Sequence, residues 1–156
     1  MIVPAFLTIF TFIIMEGVAW SAHKYLMHGS LWSWHHDHHD PKARSHHFFE
    51  KNDRFFLVFA IPSFFSFLAG LLTSYTFFTF IGLGILISGF CYFLIHDVFI
   101  HQRFKWLRNA DSIYFRAIRK AHKMHHKHLG KEDGECFGML WVPLKYFRES
   151  RKAKMQ

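Results

Sequence analysis

The sequence predicts an all-α integral membrane helical bundle: three transmembrane helices (four at most) carrying a cytoplasmic histidine-bearing helical cap, all in a single domain. Three observations predict it. Residues 2 to 22 carry one charge, Glu16, and residues 55 to 95 carry none. A crossing takes roughly 20 apolar residues, so the first stretch suffices for one span and the second for a hairpin of two. All nineteen Lys and Arg lie in two windows, 24 to 54 and 103 to 154. Ten of the fourteen histidines fall into four blocks: His23-x4-His28, His35-x2-His38-His39, His96-x4-His101 and His122-x2-His125-His126.

The first span is expected over about residues 3 to 28, with Gly29 ending it. Its apolar run lacks a basic leader and ends in a histidine, so it reads as a retained span and not a cleaved signal. A loop with a short helix follows, with Ser33 as its cap and Asp40-Pro41 as its stop, since the residue before proline avoids the helical region. Asn52-Asp53 is the cap for the second span, about 54 to 72, which Pro62 is expected to kink. Thr73 to Tyr75 is the turn into the third span, about 76 to 100. At 1.5 Å per residue, its end projects beyond the hydrocarbon core. A cytoplasmic helix is expected over about 111 to 129, capped by Asp111-Ser112 and ended by Gly130. Tyr114, Ile118, His122, His125 and Leu129 share one of its faces, and Arg116, Lys120, Lys123 and Lys127 lie elsewhere. The basic tail, 145 to 156, is expected to lie on lipid headgroups or to be disordered.

Net charge is +8 and the isoelectric point about 9.7. The basic residues flank the spans, which argues for anionic headgroups and a cytoplasmic face and against nucleic acid. Three crossings put all four histidine blocks on that same face and the N-terminus outside. The expected location is therefore a bacterial cytoplasmic membrane, multi-pass. Cys91 and Cys136 are widely separated and form no C-x-x-C pair, so both are read as reduced thiols.

Neutral imidazole is the commonest protein metal ligand and suits iron, zinc, copper and nickel. Ten are too many for one ion, and the simplest count is two ions with about five imidazoles each. H-x2-H-H on an α-helix places three rings within roughly a 100° arc, which suits convergence on one face. H-x4-H diverges by about 140° on a regular helix. His23 and His28, and likewise His96 and His101, are thus expected to reach different ions or to sit at a frayed helix end. His36, His46, His47 and His128 fall outside the repeated spacing and read as solvated side chains. Two nitrogen-rich ions beside a membrane suit iron activating dioxygen, and zinc could occupy the same sites in purified protein.

Metal-bound histidines usually donate their other N–H to a carboxylate or carbonyl. Asp97, adjacent to His96, is the first candidate for that role, with Asp37 and Glu132 behind it. Glu16, an intramembrane carboxylate about two turns before His23, is a fourth. Trp20, Phe93 and Phe99 are the candidate lining of an apolar substrate path.

The four blocks resemble the membrane fatty acid hydroxylase superfamily. The strings His23-Lys24-Tyr25-Leu26-Met27-His28-Gly29, His101-Gln102-Arg103, Ala121-His122-Lys123-Met124-His125-His126 and Gly130-Lys131-Glu132 with Phe137-Gly138 are similar to bacterial beta-carotene 3-hydroxylases. The resemblance implies a di-iron monooxygenase with the ten patterned histidines as ligands. It implies hydroxylation of carbon 3 of beta-ionone rings, giving beta-cryptoxanthin and zeaxanthin, with dioxygen as co-substrate and a ferredoxin-type electron donor. The bilayer-dwelling carotenoid would be met in the membrane. Alternative readings are a fatty acid or sterol hydroxylase or desaturase of the same superfamily, and a non-catalytic membrane metal carrier. Carriers place ionisable ligands midway through spans, whereas these histidines sit at span ends. Oligomeric state is not encoded in any motif.

Overall fold

The computed structural model describes residues 2–40 and 49–155, and every regular element among them is helical. His46 and His47 lie outside the described residues. Helix α1 (Ile2–Ser21) continues as a π-helical segment, Ala22–Ser30. Helix α2 (Trp32–His39) follows, and a 3₁₀ turn, Lys51–Phe55, leads into α3 (Phe56–Leu72). Helix α4 (Phe77–Phe93) continues as a second π-helical segment, Leu94–Ile100. Helices α5 (Ile113–His125) and α6 (Leu144–Met155) complete the chain.

Three helical stretches are long and apolar enough to cross a membrane: Ile2–Ser30, Lys51–Leu72 and Phe77–Ile100. Helix α4 packs against both α1 and α3. Two glycines permit that double contact. A Cβ on Gly84 would meet Thr11 Cβ at 2.6 Å on α1, and one on Gly82 would meet the Ser63 carbonyl at 3.1 Å on α3. Small residues let apolar helices approach where lipid removes the usual hydrophobic drive. Ser63 Oγ donates to the Gly82 carbonyl at 2.9 Å, and Met15, Ala19, Phe59 and Ile85 fill the space between the spans. Most other large side chains of the spans face outward, Phe6, Phe64 and Phe90 among them, as lipid contact requires.

Helices α5 and α6 pack together over a second core of Phe99, Ala117, Ile118, Ala121, Val142 and Tyr146. The basic tail is therefore an ordered helix docked on α5, not a disordered segment. Its sequence repeats apolar residues at Tyr146 and Phe147 and a small buried Ser150, enough to bury one stripe.

Local capping differs from expectation in three places. Leu31, not Ser33, precedes α2, without a side-chain cap, and Asp40 is extended after it. Glu50 caps the Lys51–Phe55 turn, with Asp53 returning a bond to the Glu50 N–H at 3.0 Å; Asn52 is released for another partner. Ser112 accepts from Phe115 N–H as a cap should, but α5 ends at His125, leaving Leu129 exposed.

Candidate metal centre

The ten patterned histidines meet at one end of the spans, in two sets. Nitrogens of His23, His28, His35, His39 and His125 lie within 4.8 Å of one another, and so do those of His38, His96, His101 and His122. His126 joins the second set, its Nε2 2.8 Å from His122 Nε2.

The H-x4-H pairs are not divided, contrary to the α-helical expectation. His23 and His28 share the first set, and His96 and His101 the second. The cause is local winding. In a π-helix the bond runs from residue i+5 to residue i, so residues five apart stack on one face as residues four apart do in an α-helix. The His101 N–H bonds the His96 carbonyl at 2.9 Å, and Leu31 N–H bonds the Leu26 carbonyl at 2.8 Å. The departure from helical dihedrals at Gly29 completes the first turn.

The H-x2-H-H triplets, by contrast, are divided. His35 and His39 serve the first set while His38 reaches the second; His122 and His126 serve the second while His125 reaches the first. Residues i and i+4 lie about 40° apart on an α-helix, but i+3 and i+4 lie about 100° apart. One helix wedged between two clusters therefore feeds both. Each set thus draws one H-x4-H pair, one i, i+4 pair and one crossed histidine from the other triplet.

The outward nitrogens are all directed in the first set. Nδ1 of His23 donates to the Phe137 carbonyl at 2.9 Å, His28 to Lys131 at 3.2 Å, His39 to His128 at 3.0 Å and His125 to Glu135 at 2.8 Å. His35 Nδ1 donates to Asn52 Oδ1 at 2.7 Å. A carbonyl only accepts, so each Nδ1 carries the proton and each Nε2 is left bare, pointing inward. The bare Nε2 atoms stand 3.1 Å apart between His23 and His35 and 3.0 Å apart between His35 and His39. Lone pairs that close, in a buried cluster, are the arrangement that a cation between them would satisfy. The donor set fits a borderline transition metal.

Carboxylates hold two histidines of the second set. His38 Nδ1 meets Glu50 Oε2 at 3.0 Å, and His96 Nδ1 meets Asp97 Oδ2 at 3.1 Å. Arg103 bridges Asp97 and Asp53 at 2.9 and 2.8 Å, fixing the orientation of Asp97. Burial, with repulsion from neighbouring rings, pushes His39 down to about 4 and His125 down to about 3. His35, His38 and His122 are also held far below the usual histidine range, chiefly by burial. All five are neutral at pH 7, the form a metal needs.

Asp97 stands where the sequence placed it. Three other carboxylate expectations are corrected. Glu132 is 80 % exposed at its side chain and pairs with Lys131, so it touches no imidazole. Asp37 is buried on α2, but its Oδ1 accepts no hydrogen bond and no imidazole donates to it. Glu16 receives the backbone N–H groups of Met139, Leu140 and Trp141, all at 2.9 Å. It ties the loop after α5 to the first span, two residues beyond Phe137, whose carbonyl meets His23. Sequence reasoning missed Asn52, Glu50 and the four backbone carbonyls. Asn52 was legible as a polar residue but not as a histidine partner, and carbonyls carry no sequence signal.

The apolar candidates separate. Trp20 lines a groove of about 1180 Å³ beside the first set, together with Ile14, Leu26, Phe137 and Trp141. Phe93 lines a different groove, about 470 Å³, between α3 and α4. Phe99 is 0 % exposed, packed under α5 with the Arg119 guanidinium 4.3 Å over its ring, so it belongs to the core and not to a path. His36 is exposed, and His128 contributes its carbonyl rather than its ring.

A family model described as fatty acid hydroxylase matches residues 8–145, from the first span to the start of α6. The chain belongs to the fatty acid hydroxylase family. Within that family it is 38 % identical over 139 residues to a beta-carotene hydroxylase of Pantoea ananas, covering 89 % of this chain and 77 % of that protein. A beta-carotene hydroxylase of Paracoccus sp. (strain PC1) is 35 % identical over 134 residues, covering 85 % of this chain and 80 % of that one. The chloroplastic beta-carotene 3-hydroxylase 1 of Arabidopsis thaliana is 38 % identical over 138 residues, 83 % of this chain and 41 % of the plant protein. No solved structure matches this hydroxylase-family chain with significance.

Proposed function

We propose that this chain is a dioxygen-dependent carotenoid hydroxylase that places a hydroxyl on carbon 3 of the beta-ionone rings of beta-carotene, giving beta-cryptoxanthin and then zeaxanthin. The observation that carries this reading is the pair of convergent all-imidazole sets at the ends of apolar spans. Kinship with proteins named for beta-carotene hydroxylation selects the substrate.

The first ion would be held by His23, His28, His35, His39 and His125, the second by His38, His96, His101, His122 and His126. Iron is the metal this chemistry needs, and zinc is expected to compete for the same nitrogens during purification. When bound, iron supplies dioxygen activation: one oxygen atom enters the C–H bond and the other leaves as water, with two electrons and two protons supplied from outside. The chain's own residues orient the imidazoles, keep them neutral and exclude bulk water from the centre. A ferredoxin-type protein is the proposed electron source. The proposed setting is a bacterial cytoplasmic membrane, with the histidine face inside and the N-terminus outside.

Pigment chromatography on bacteria that accumulate beta-carotene and express this chain tests the reading, with His125→Ala as control. Two more polar pigments matching beta-cryptoxanthin and zeaxanthin, absent from the control, are expected. Unchanged beta-carotene, with verified membrane expression and a supplied ferredoxin, would discard it. The family description favours one second reading, hydroxylation of a fatty acyl or sterol substrate. Feeding both lipid classes to the same membranes separates the two.

A further inference from the structure

The large groove beside the first histidine set abuts a second cavity at its inner end. It is walled by α1, by Val58 of α3 and by the loop from Cys136 to Pro143. A second, narrow cavity of about 20 Å³ lies deeper, lined by His23 of the first set, Asn52, Phe55, Phe59 and Tyr92. Tyr92 in turn stacks on His96 of the second set, with ring centroids 5.0 Å apart. The inner cavity therefore touches the first set at His23 and is separated from the second set by the Tyr92 ring. Two residues line both cavities, Ala22 and Val58. Both are small, and both are half-buried. The separate groove between α3 and α4 shares Phe56 and Phe59 with the inner cavity but no histidine and neither of these two.

We propose that the α1 groove is the entry path for the hydrocarbon substrate and that Ala22 and Val58 form the neck that lets the leading edge of its ring approach His23. This rests on the reading of the chain as a carotenoid hydroxylase. A long apolar substrate leaving the bilayer needs an apolar surface that begins among lipid-facing residues and ends at the metals. Ile13, Ile14 and Val18 are exposed on α1 at the mouth, and Ala22 lies one turn on, next to His23. The groove wall is almost free of polar side chains, and its one carboxylate, Glu16, is occupied by three backbone N–H groups. Small side chains at the neck let the leading edge of a ring approach the cavity that His23 lines, which at about 20 Å³ takes an edge and not a whole ring.

The test is pigment conversion in beta-carotene-accumulating cells by the full chain, with metal content measured on each purified protein. Ala22→Leu and Val58→Phe fill the neck. Phe90→Leu thins the wall of the separate α3–α4 groove and is the control. A mismatch of a methylene or two in an apolar site changes rates about 10–200-fold. Loss of conversion by about tenfold or more in both neck variants, with metal content at the wild-type level and Phe90→Leu active, supports the path. Val58 shares the inner cavity with His23 but lies on α3, which carries no histidine, so with metal content unchanged Val58→Phe decides the matter if Ala22→Leu disturbs the turn at His23. Wild-type rates in Val58→Phe, or a block confined to Phe90→Leu, would overturn the path while leaving the hydroxylase reading intact. Loss of metal from both neck variants would reassign the residues to holding the centre and overturn it as well. A wild-type chain that leaves beta-carotene untouched overturns the substrate reading itself.

Discussion

At the scale of single residues, the centre is built on proton placement. Carbonyl and amide acceptors take Nδ1–H of five imidazoles, which leaves their Nε2 lone pairs facing one another. Asn52 is the one side chain among these acceptors, so it offers a clean test. Asn52→Leu keeps similar bulk and removes the acceptor for His35. It is expected to weaken metal retention about 10–100-fold, measured by chelator competition, with helix content unchanged. Without metal, the buried rings also make the protein acid-labile. His39 and His125 titrate near 4 and near 3 when folded, against about 6.5 when unfolded. Between those values the unfolded chain binds more protons, so stability is full above pH 6.5 and falls as pH drops toward 4. Chelator-treated protein in detergent is expected to unfold at a lower temperature at pH 5 than at pH 7.5, and adding metal back should raise both transitions. Equal transitions at the two pH values would contradict the burial argument.

At the scale of elements, two departures from α-geometry do the assembling. The π-helical ends of the first and third spans turn each H-x4-H pair onto one face, while the regular α-helices α2 and α5 send each H-x2-H-H triplet two ways. The loop after α5 then closes the first set with carbonyls of Lys131, Glu135 and Phe137. Glu16 is the clamp that holds this loop, and a carboxylate inside a span is retained only where such partners repay its desolvation. Glu16→Ala leaves three N–H groups without their acceptor and is expected to cost about 3 kcal/mol. Thermal unfolding in detergent should show that loss, and limited proteolysis should begin between Gly130 and Trp141. An unchanged melting temperature with a resistant loop would mean that the clamp is dispensable.

At the scale of the whole molecule, all four histidine blocks converge, which demands that the ends of spans one and three and the start of span two share one membrane face. The same face bears exposed Lys123, Lys127, Lys131, Arg148 and Arg151. Such a basic surface speeds encounter with an acidic partner in a salt-dependent way. Ferredoxin-driven turnover is expected to slow as ionic strength rises from 50 to about 300 mM, with the rate from a small chemical reductant unaffected. Sidedness has its own check: a membrane-impermeant thiol reagent applied outside intact cells should leave Cys136 unlabelled and label it after lysis.

Much of this was legible beforehand. The charge-free runs, the basic windows and the twice-repeated histidine spacing follow from residue identity, because burying charge in lipid is costly and two matched histidine patterns imply shared ligands. The sequence by itself thus determined the class of fold, the shared face and the ten candidate ligands, together with Asp97 as a neighbour. Only the tertiary structure decided which histidine joins which set, since that depends on whether a span end winds as an α- or a π-helix, and helix phase is set by packing. It also decided the fates of Glu16, Asp37, Glu132 and Phe99, whose one-dimensional neighbourhoods are the same whether they face a metal, a loop or a core. The carbonyls that fix the tautomers are invisible in sequence for a simpler reason: every residue has one, and only the folded chain selects which of them points at an imidazole.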